Sequence, residues 1–202
     1  MNQNKIKRII KKDLKYYDKH PEHLKQEFIE QFGKELWDQQ ESLAKLQIIE
    51  EHLAQIFKIE MIPVIVEDIA EDSRYMIKEN YIVISSKIIN DLLQATKALI
   101  HEYTHYYQYC VVENNIPHPF LEYWKENIQN PYIPKDPNNN KQMVRYYLQP
   151  IELDAFAFTK YYFKKYLNLE INQLHPDFEK IIDLYISKYY TKKETKNNEI
   201  KK

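Results

Sequence analysis

His101, Glu102 and His105 stand in the order His-Glu-x-x-His, within His101-Glu102-Tyr103-Thr104-His105. These residue types can hold a metal and move a proton. Residues four apart on a helix lie one above the other on the same face. The two imidazoles can therefore grip one cation, with Glu102 placed to touch a metal-bound water rather than the metal itself. Zn2+ is the cofactor this arrangement predicts. A catalytic zinc takes three protein ligands and keeps a fourth position for water, so one ligand must come from elsewhere in the chain.

The metzincin continuation, His-Glu-x-x-His-x-x-Gly-x-x-His, fails here. Gln108 stands where the Gly should be and Val111 where the third His should be. The remaining choices are carboxylates further along: Glu113, Glu122, Glu126, Glu152 and Asp154. Glu152 is preferred. It lies in Gln149-Pro150-Ile151-Glu152-Leu153-Asp154-Ala155-Phe156-Ala157, an otherwise apolar helix. A carboxylate on a buried face needs a charged partner, and a dication is the strongest one. Ala155 leaves room for close approach of the helix that carries the two His. Asp154 is the rival ligand, or else an acceptor for the far ring N–H of a ligand His. An electrophile should also stabilise the oxyanion of the reaction. Tyr146, Tyr147, Arg145, His118 and His175 can each donate, and Tyr147 and His175 are carried forward.

The motif needs a helix, and its surroundings supply one. Leu92, Ala95, Leu99, Ile100, Tyr103, Tyr106 and Cys110 recur at roughly helical spacing, and neither Pro nor Gly interrupts Asn90 to Val112. Asn90 or Asp91 can cap the start. Before it lie short β-branched runs, Ile62–Val66, Arg74–Ile77 and Tyr81–Ile84. The last two flank Lys78-Glu79-Asn80, a three-residue turn with Asn at the left-handed position. Tyr81–Ile84 either offers an edge on which an extended substrate can pair or is a fully covered core strand. Helices are expected over 3–19 (basic and amphipathic), 22–32, 34–58, 120–129, 141–148, 151–167 and from Pro176 to about 190. Leu36, Leu43, Leu46, Ile49, Leu53 and Ile56-Phe57 face inward on the third of these, and His52 lies on its polar face. Pro150 either kinks a helix or begins one.

The resulting fold class is α+β, mainly helical, with a small antiparallel or mixed sheet of about three strands on the motif helix and a second ligand-bearing helix. The organisation reads as an N-terminal helical region (1–57), a catalytic core (58–190) and a charged tail (191–202).

His101-Glu102-x-x-His105 with a downstream Glu152-x-x-Ala155 resembles the gluzincin branch of the zincin metallopeptidases. The short sheet before the motif helix is similar to that of the small single-domain members, the minigluzincins. The likeness spans about residues 60 to 165. It implies a zincin-like fold, Glu102 as general base and acid, and His101, His105 and Glu152 as zinc ligands. Many gluzincins carry Asp or another polar residue four positions after the third ligand, whereas this chain has Phe156.

Composition narrows the function classes. In 202 residues, 44% are hydrophobic, which is enough for a sizeable core. The net charge of -1 does not favour a nucleic-acid partner. A single Gly argues against glycine-rich phosphate cradles. One Cys permits no intramolecular disulfide, so a metal site must use His and carboxylates. Neither a signal-peptide pattern nor a membrane span is expected, which makes a cytoplasmic location the default. The predicted activity is hydrolysis of peptide bonds in a protein or peptide substrate by a zinc-bound water that Glu102 activates. The alternative is a zincin-like fold that acts as a binding or regulatory protein without peptidase activity.

Overall fold

The computed structural model describes residues 42–130, 133–134, 136 and 138–191. The expected helices over 3–19 and 22–32, the first part of 34–58, and the tail beyond 191 lie outside the described residues. The described elements run α1 (Ser42–Phe57), β1 (Val64–Glu67), β2 (Ser73–Met76), β3 (Tyr81–Ser85), α2 (Leu92–Glu113), α3 (Leu121–Gln129), α4 (Asn140–Tyr147), α5 (Pro150–Tyr166) and α6 (Pro176–Tyr189). The fold is therefore α+β and mainly helical, with one three-stranded mixed sheet. No helix among the described residues is long and apolar enough to cross a membrane.

Local chemistry explains the boundaries. Lys58 adopts φ 59°, a left-handed residue directly after α1, and Ile59 N–H donates back to Ala54 O. Asn80 adopts φ 56° in the β2–β3 turn, where Asn tolerates the left-handed region, and Tyr75 Oη donates to its side chain. The Asp91 side chain accepts from Gln94 N–H at 3.1 Å, which fixes the start of α2. Pro150 begins a helix rather than kinking one, because it occupies the first turn of α5, where its missing N–H costs nothing.

The sheet order is β1-β3-β2. β1 runs parallel to β3, with Val64 beside Ile82, and β2 runs antiparallel to β3, with Tyr75 beside Ile82. This decides between the two readings of Tyr81–Ile84 in favour of the covered strand. The strand at Tyr81 is central and paired on both sides, so it has no edge to offer. β2 is the outer strand on the side that packs against α2.

One hydrophobic cluster joins α1 (Leu46, Ile49, Leu53), the sheet (Ile82, Ile84), α2 (Ala95, Leu99, Ile100, Tyr103) and α5 (Phe158, Tyr162, Phe163). The motif helix thus crosses the core, with the sheet on one side and α5 on another. Ala95 and Ala98 on α2 and Ala155 and Ala157 on α5 are all buried.

Two residues of α1 differ from expectation. Leu43 is exposed rather than inward-facing. His52 is not on a solvated face: its Nδ1 lies 2.6 Å from Tyr162 Oη, and its ring packs edge-on against Tyr166. Burial pushes its pKa down to about 4. The folded state therefore favours neutral His52, and this contribution to stability is lost as the pH falls from about 6.5 through 4.

Two residues earlier on α1, buried Glu50 accepts the Ile62 N–H at 2.9 Å and ties α1 to the segment that leads into β1. Burial raises its pKa to about 7, with the Ile62 hydrogen bond opposing and the charge of Glu51 adding to the rise. The folded protein favours the protonated form, so stability falls as the pH climbs from 4.5 through 7. Glu50→Gln keeps an acceptor for Ile62 and cannot ionise. Relative to the parent, the variant is expected to gain up to about 3 kcal/mol between pH 4 and pH 8. Denaturant melts at the two pH values check this, and an equal difference at both would remove the ionisation of Glu50 from the account.

Candidate metal centre

On α2, His101 and His105 stack one turn apart with their rings perpendicular and their centroids 4.7 Å apart. Glu152, in the first turn of α5, projects from the facing helix with only 2% of its side chain exposed. Its Oε2 lies 3.3 Å from His101 Nε2, and its Oε1 lies 3.4 Å from His105 Nε2. The two Nε2 atoms are 3.1 Å apart. Among the described residues, these three form the only group of His, Cys, Asp or Glu side chains close enough to share a metal ion.

The triangle fits zinc. Zinc bonds of 2.0–2.2 Å at tetrahedral angles put neighbouring ligand atoms about 3.3–3.6 Å apart; the three contacts here, which use both oxygens of Glu152, run from 3.1 to 3.4 Å, and one ligand atom from each residue lies within 4.8 Å of the others. The electrostatics match as well. Burial alone would lower the His105 pKa, but the Glu152 carboxylate, its hydrogen bond, Glu102 and Gln108 outweigh burial and hold it at about 9. Burial works to raise the Glu152 pKa, yet the charge of His105 and hydrogen bonds from both imidazoles hold it well below the usual carboxylate range. In the metal-free chain, a proton on His105 supplies the positive charge that the buried Glu152 carboxylate demands.

The other candidate carboxylates lie elsewhere. Glu113 and Glu126 are exposed, and Glu122 is exposed and pairs with Lys125. Asp154 is buried but turned away from the triangle. Its Oδ1 accepts from Tyr185 Oη at 3.1 Å and Tyr190 Oη at 2.7 Å, and its Oδ2 accepts from Gln108 Nε2 at 2.9 Å. It does not meet a ligand His directly. Gln108 stands between, with its Oε1 2.9 Å from His105 Nδ1. Gln108 is the residue that the sequence reading missed. Its signal was the i, i+3 spacing from His105, which puts it on the same helix face.

The two imidazoles are held differently. Among the described residues, buried His101 Nδ1 has no hydrogen-bond partner. The Phe156 ring packs against His101 instead, at 4.5 Å between centroids. Phe156 thus takes up by packing the position where a polar residue would reach the ring by hydrogen bonding.

Glu102 is buried and pinned from the sheet. Ser73 Oγ donates to its Oε1 and Tyr75 N–H to its Oε2, each at 2.8 Å. The Tyr75 N–H belongs to β2, the outer strand, so the sheet edge itself fixes this carboxylate. Each oxygen keeps a second lone pair for another proton. Tyr147 belongs to an aromatic layer beside the triangle, with its ring 5.6 Å from Phe156 and 5.0 Å from Phe178. Burial raises the pKa of its hydroxyl, and the charge of Glu152 adds to the rise. His175 is placed differently. It is exposed, caps α6 by accepting Asp177 N–H, and lies beside the Asp177 carboxylate. Of the two donors carried forward, only Tyr147 stands near the triangle.

Comparison with family profiles, with curated proteins and with solved structures finds no match.

Proposed function

We propose that the protein is a zinc-dependent metallopeptidase with a zincin-like, gluzincin-type centre. In this reading His101, His105 and Glu152 are the zinc ligands and Glu102 is the general base. One observation carries it: two imidazole nitrogens 3.1 Å apart on one helix each meet an oxygen of Glu152 on the facing helix at 3.3–3.4 Å, beside a buried carboxylate that two donors hold in place. Buried polar groups on three elements do not converge in this way without a positive charge to surround.

Zinc supplies an acidified water and a Lewis acid for the scissile carbonyl. The chain's own residues do the rest. Glu102 takes the proton of the attacking water on a carboxylate oxygen and delivers it to the leaving amine. Its two hydrogen bonds to β2 keep it from swinging away between those steps. The Tyr147 hydroxyl donates toward the oxyanion. The outer strand β2 runs beside Glu102, and an outer strand suits an extended chain better than a compact small molecule. This favours a peptide substrate.

Purified protein is expected to hydrolyse members of an internally quenched peptide library. A strong zinc chelator should abolish the activity and added Zn2+ restore it. Hydrolysis that persists after complete metal removal would refute the reading. Ser73→Ala should lower kcat by about 10-fold, with KM and zinc content unchanged, because one of the two donors that orient Glu102 is lost. Steady-state kinetics with a metal assay on the same sample reads all three quantities.

A further inference from the structure

The hydrogen bonds around Gln108 have directions that can be worked out from acceptors alone. Gln108 Nε2 faces two acceptors, Ile151 O at 3.0 Å and Asp154 Oδ2 at 2.9 Å. A backbone carbonyl can only accept, so the Gln108 atom facing it must be the NH2 group. Its other end, Oε1, must then be the atom 2.9 Å from His105 Nδ1. An amide oxygen can only accept, so His105 Nδ1 must carry a proton. The His105 nitrogen whose lone pair is available to a metal is therefore Nε2, the one on the triangle.

The chain of contacts continues outward. Asp154 orients the Gln108 amide, and two hydroxyls from the last helix, those of Tyr185 and Tyr190, close on Asp154 Oδ1. Tyr190 is the cap residue at the end of α6. The first half of α6 is anchored to α5, where Lys160 reaches Glu179 in the first turn and Asp183 at mid-helix, each at 2.7 Å. The tyrosine end packs its rings on Phe120, Phe158 and Tyr161 and sends its two hydroxyls to the carboxylate that leads to His105.

We propose that α6 is a working part of the metal centre: Tyr185 and Tyr190, through Asp154 and Gln108, position His105 for metal binding, so that metal loading and the docking of α6 reinforce each other. This rests on the zinc-centre reading above. Gln108, Asp154 and the two tyrosines are positioning residues, since none of them touches the triangle's centre. Coupling between two equilibria is reciprocal. If α6 favours the metal-binding form of His105, then bound metal must favour docked α6 by the same factor.

The test uses the full chain and zinc alone as the probe. Zinc affinity is measured by competition with a chromophoric chelator, and backbone hydrogen exchange over residues 176–190 is measured with and without zinc. Partners that orient ligand imidazoles are worth about 10- to 100-fold in affinity. Gln108→Leu, which keeps the volume and removes the hydrogen bonds, is expected to weaken zinc binding by about that factor. The double variant Tyr185→Phe with Tyr190→Phe keeps both rings and should weaken binding several-fold, while Tyr123→Phe on the surface should change nothing. Zinc should slow exchange in α6 of the parent, and this slowing should shrink in both of the first two variants. A purely structural role would lower the melting temperature of the tyrosine variant yet leave its zinc affinity and zinc-induced slowing at parental values; that result overturns the proposal. A parent chain that binds no zinc overturns the zinc-centre reading and this inference with it. A parent that binds zinc with variants indistinguishable from it removes only the inference.

Discussion

Glu102→Gln is expected to lower peptide hydrolysis by about 10²- to 10⁴-fold while zinc content stays at the parental level. The size follows from the role. Gln has nearly the shape of Glu but no basicity, so the water loses its proton acceptor. The structure explains why the rest should survive. Glu102 is not among the three atoms of the triangle. Its two donors, Ser73 Oγ and Tyr75 N–H, can both be served by Gln: the amide oxygen accepts from Tyr75, and the Ser73 hydroxyl turns to accept from the amide NH2. The measurement is turnover of a single quenched peptide from the library, with metal content on the same sample. Parental turnover in the variant would mean that another group takes the proton, and the assignment of Glu102 would fall.

Glu152→Ala carries the second large effect, and it acts on two properties. Zinc affinity should fall by at least about 100-fold, because one of three ligands is gone. The metal-free protein should also lose about 3–5 kcal/mol, the usual result of removing one partner from a buried pair. That loss has a defined pH dependence. The Glu152 pKa is held low and the His105 pKa is raised to about 9, so the pair is fully formed between about pH 4.5 and 6.5 and fades as the pH rises through 9. Melts of chelator-treated parent and variant should differ most at pH 6 and least near pH 10. A variant that melts with the parent at pH 6 and retains zinc would move the third-ligand role away from Glu152.

Much of the site was legible because its parts obey local rules. His101 and His105 announce themselves by spacing, and Glu152 by being charged on an apolar helix. The turn at Asn80 and the cap at Asp91 follow from side chains that bond their own backbone. What was not legible depends on pairing between distant segments. The sequence of β3 is an apolar strand whether it is central or outer, and only the parallel pairing with β1 makes it central. His52 lies among polar neighbours in sequence, and nothing local says that Tyr162 comes to meet it. Asp154 reads from sequence as a rival ligand or as a direct acceptor for a ligand imidazole. The structure interposes Gln108, whose importance depends on Tyr185 and Tyr190, two residues of another helix, fixing the far side of Asp154. Among 18 tyrosines, composition could not separate Tyr147 from the rest, or the two that hold Asp154.

The central claim is that His101, His105 and Glu152 share one zinc ion. X-ray absorption at the zinc edge, on protein purified without added metal and assayed for metal content, tests it most directly. The account predicts about one zinc per chain, with two imidazole nitrogens and carboxylate or water oxygens at about 2.0–2.2 Å and no sulfur. A chain that holds no zinc and takes up none on titration would contradict it, as would a zinc site containing the sulfur of Cys110.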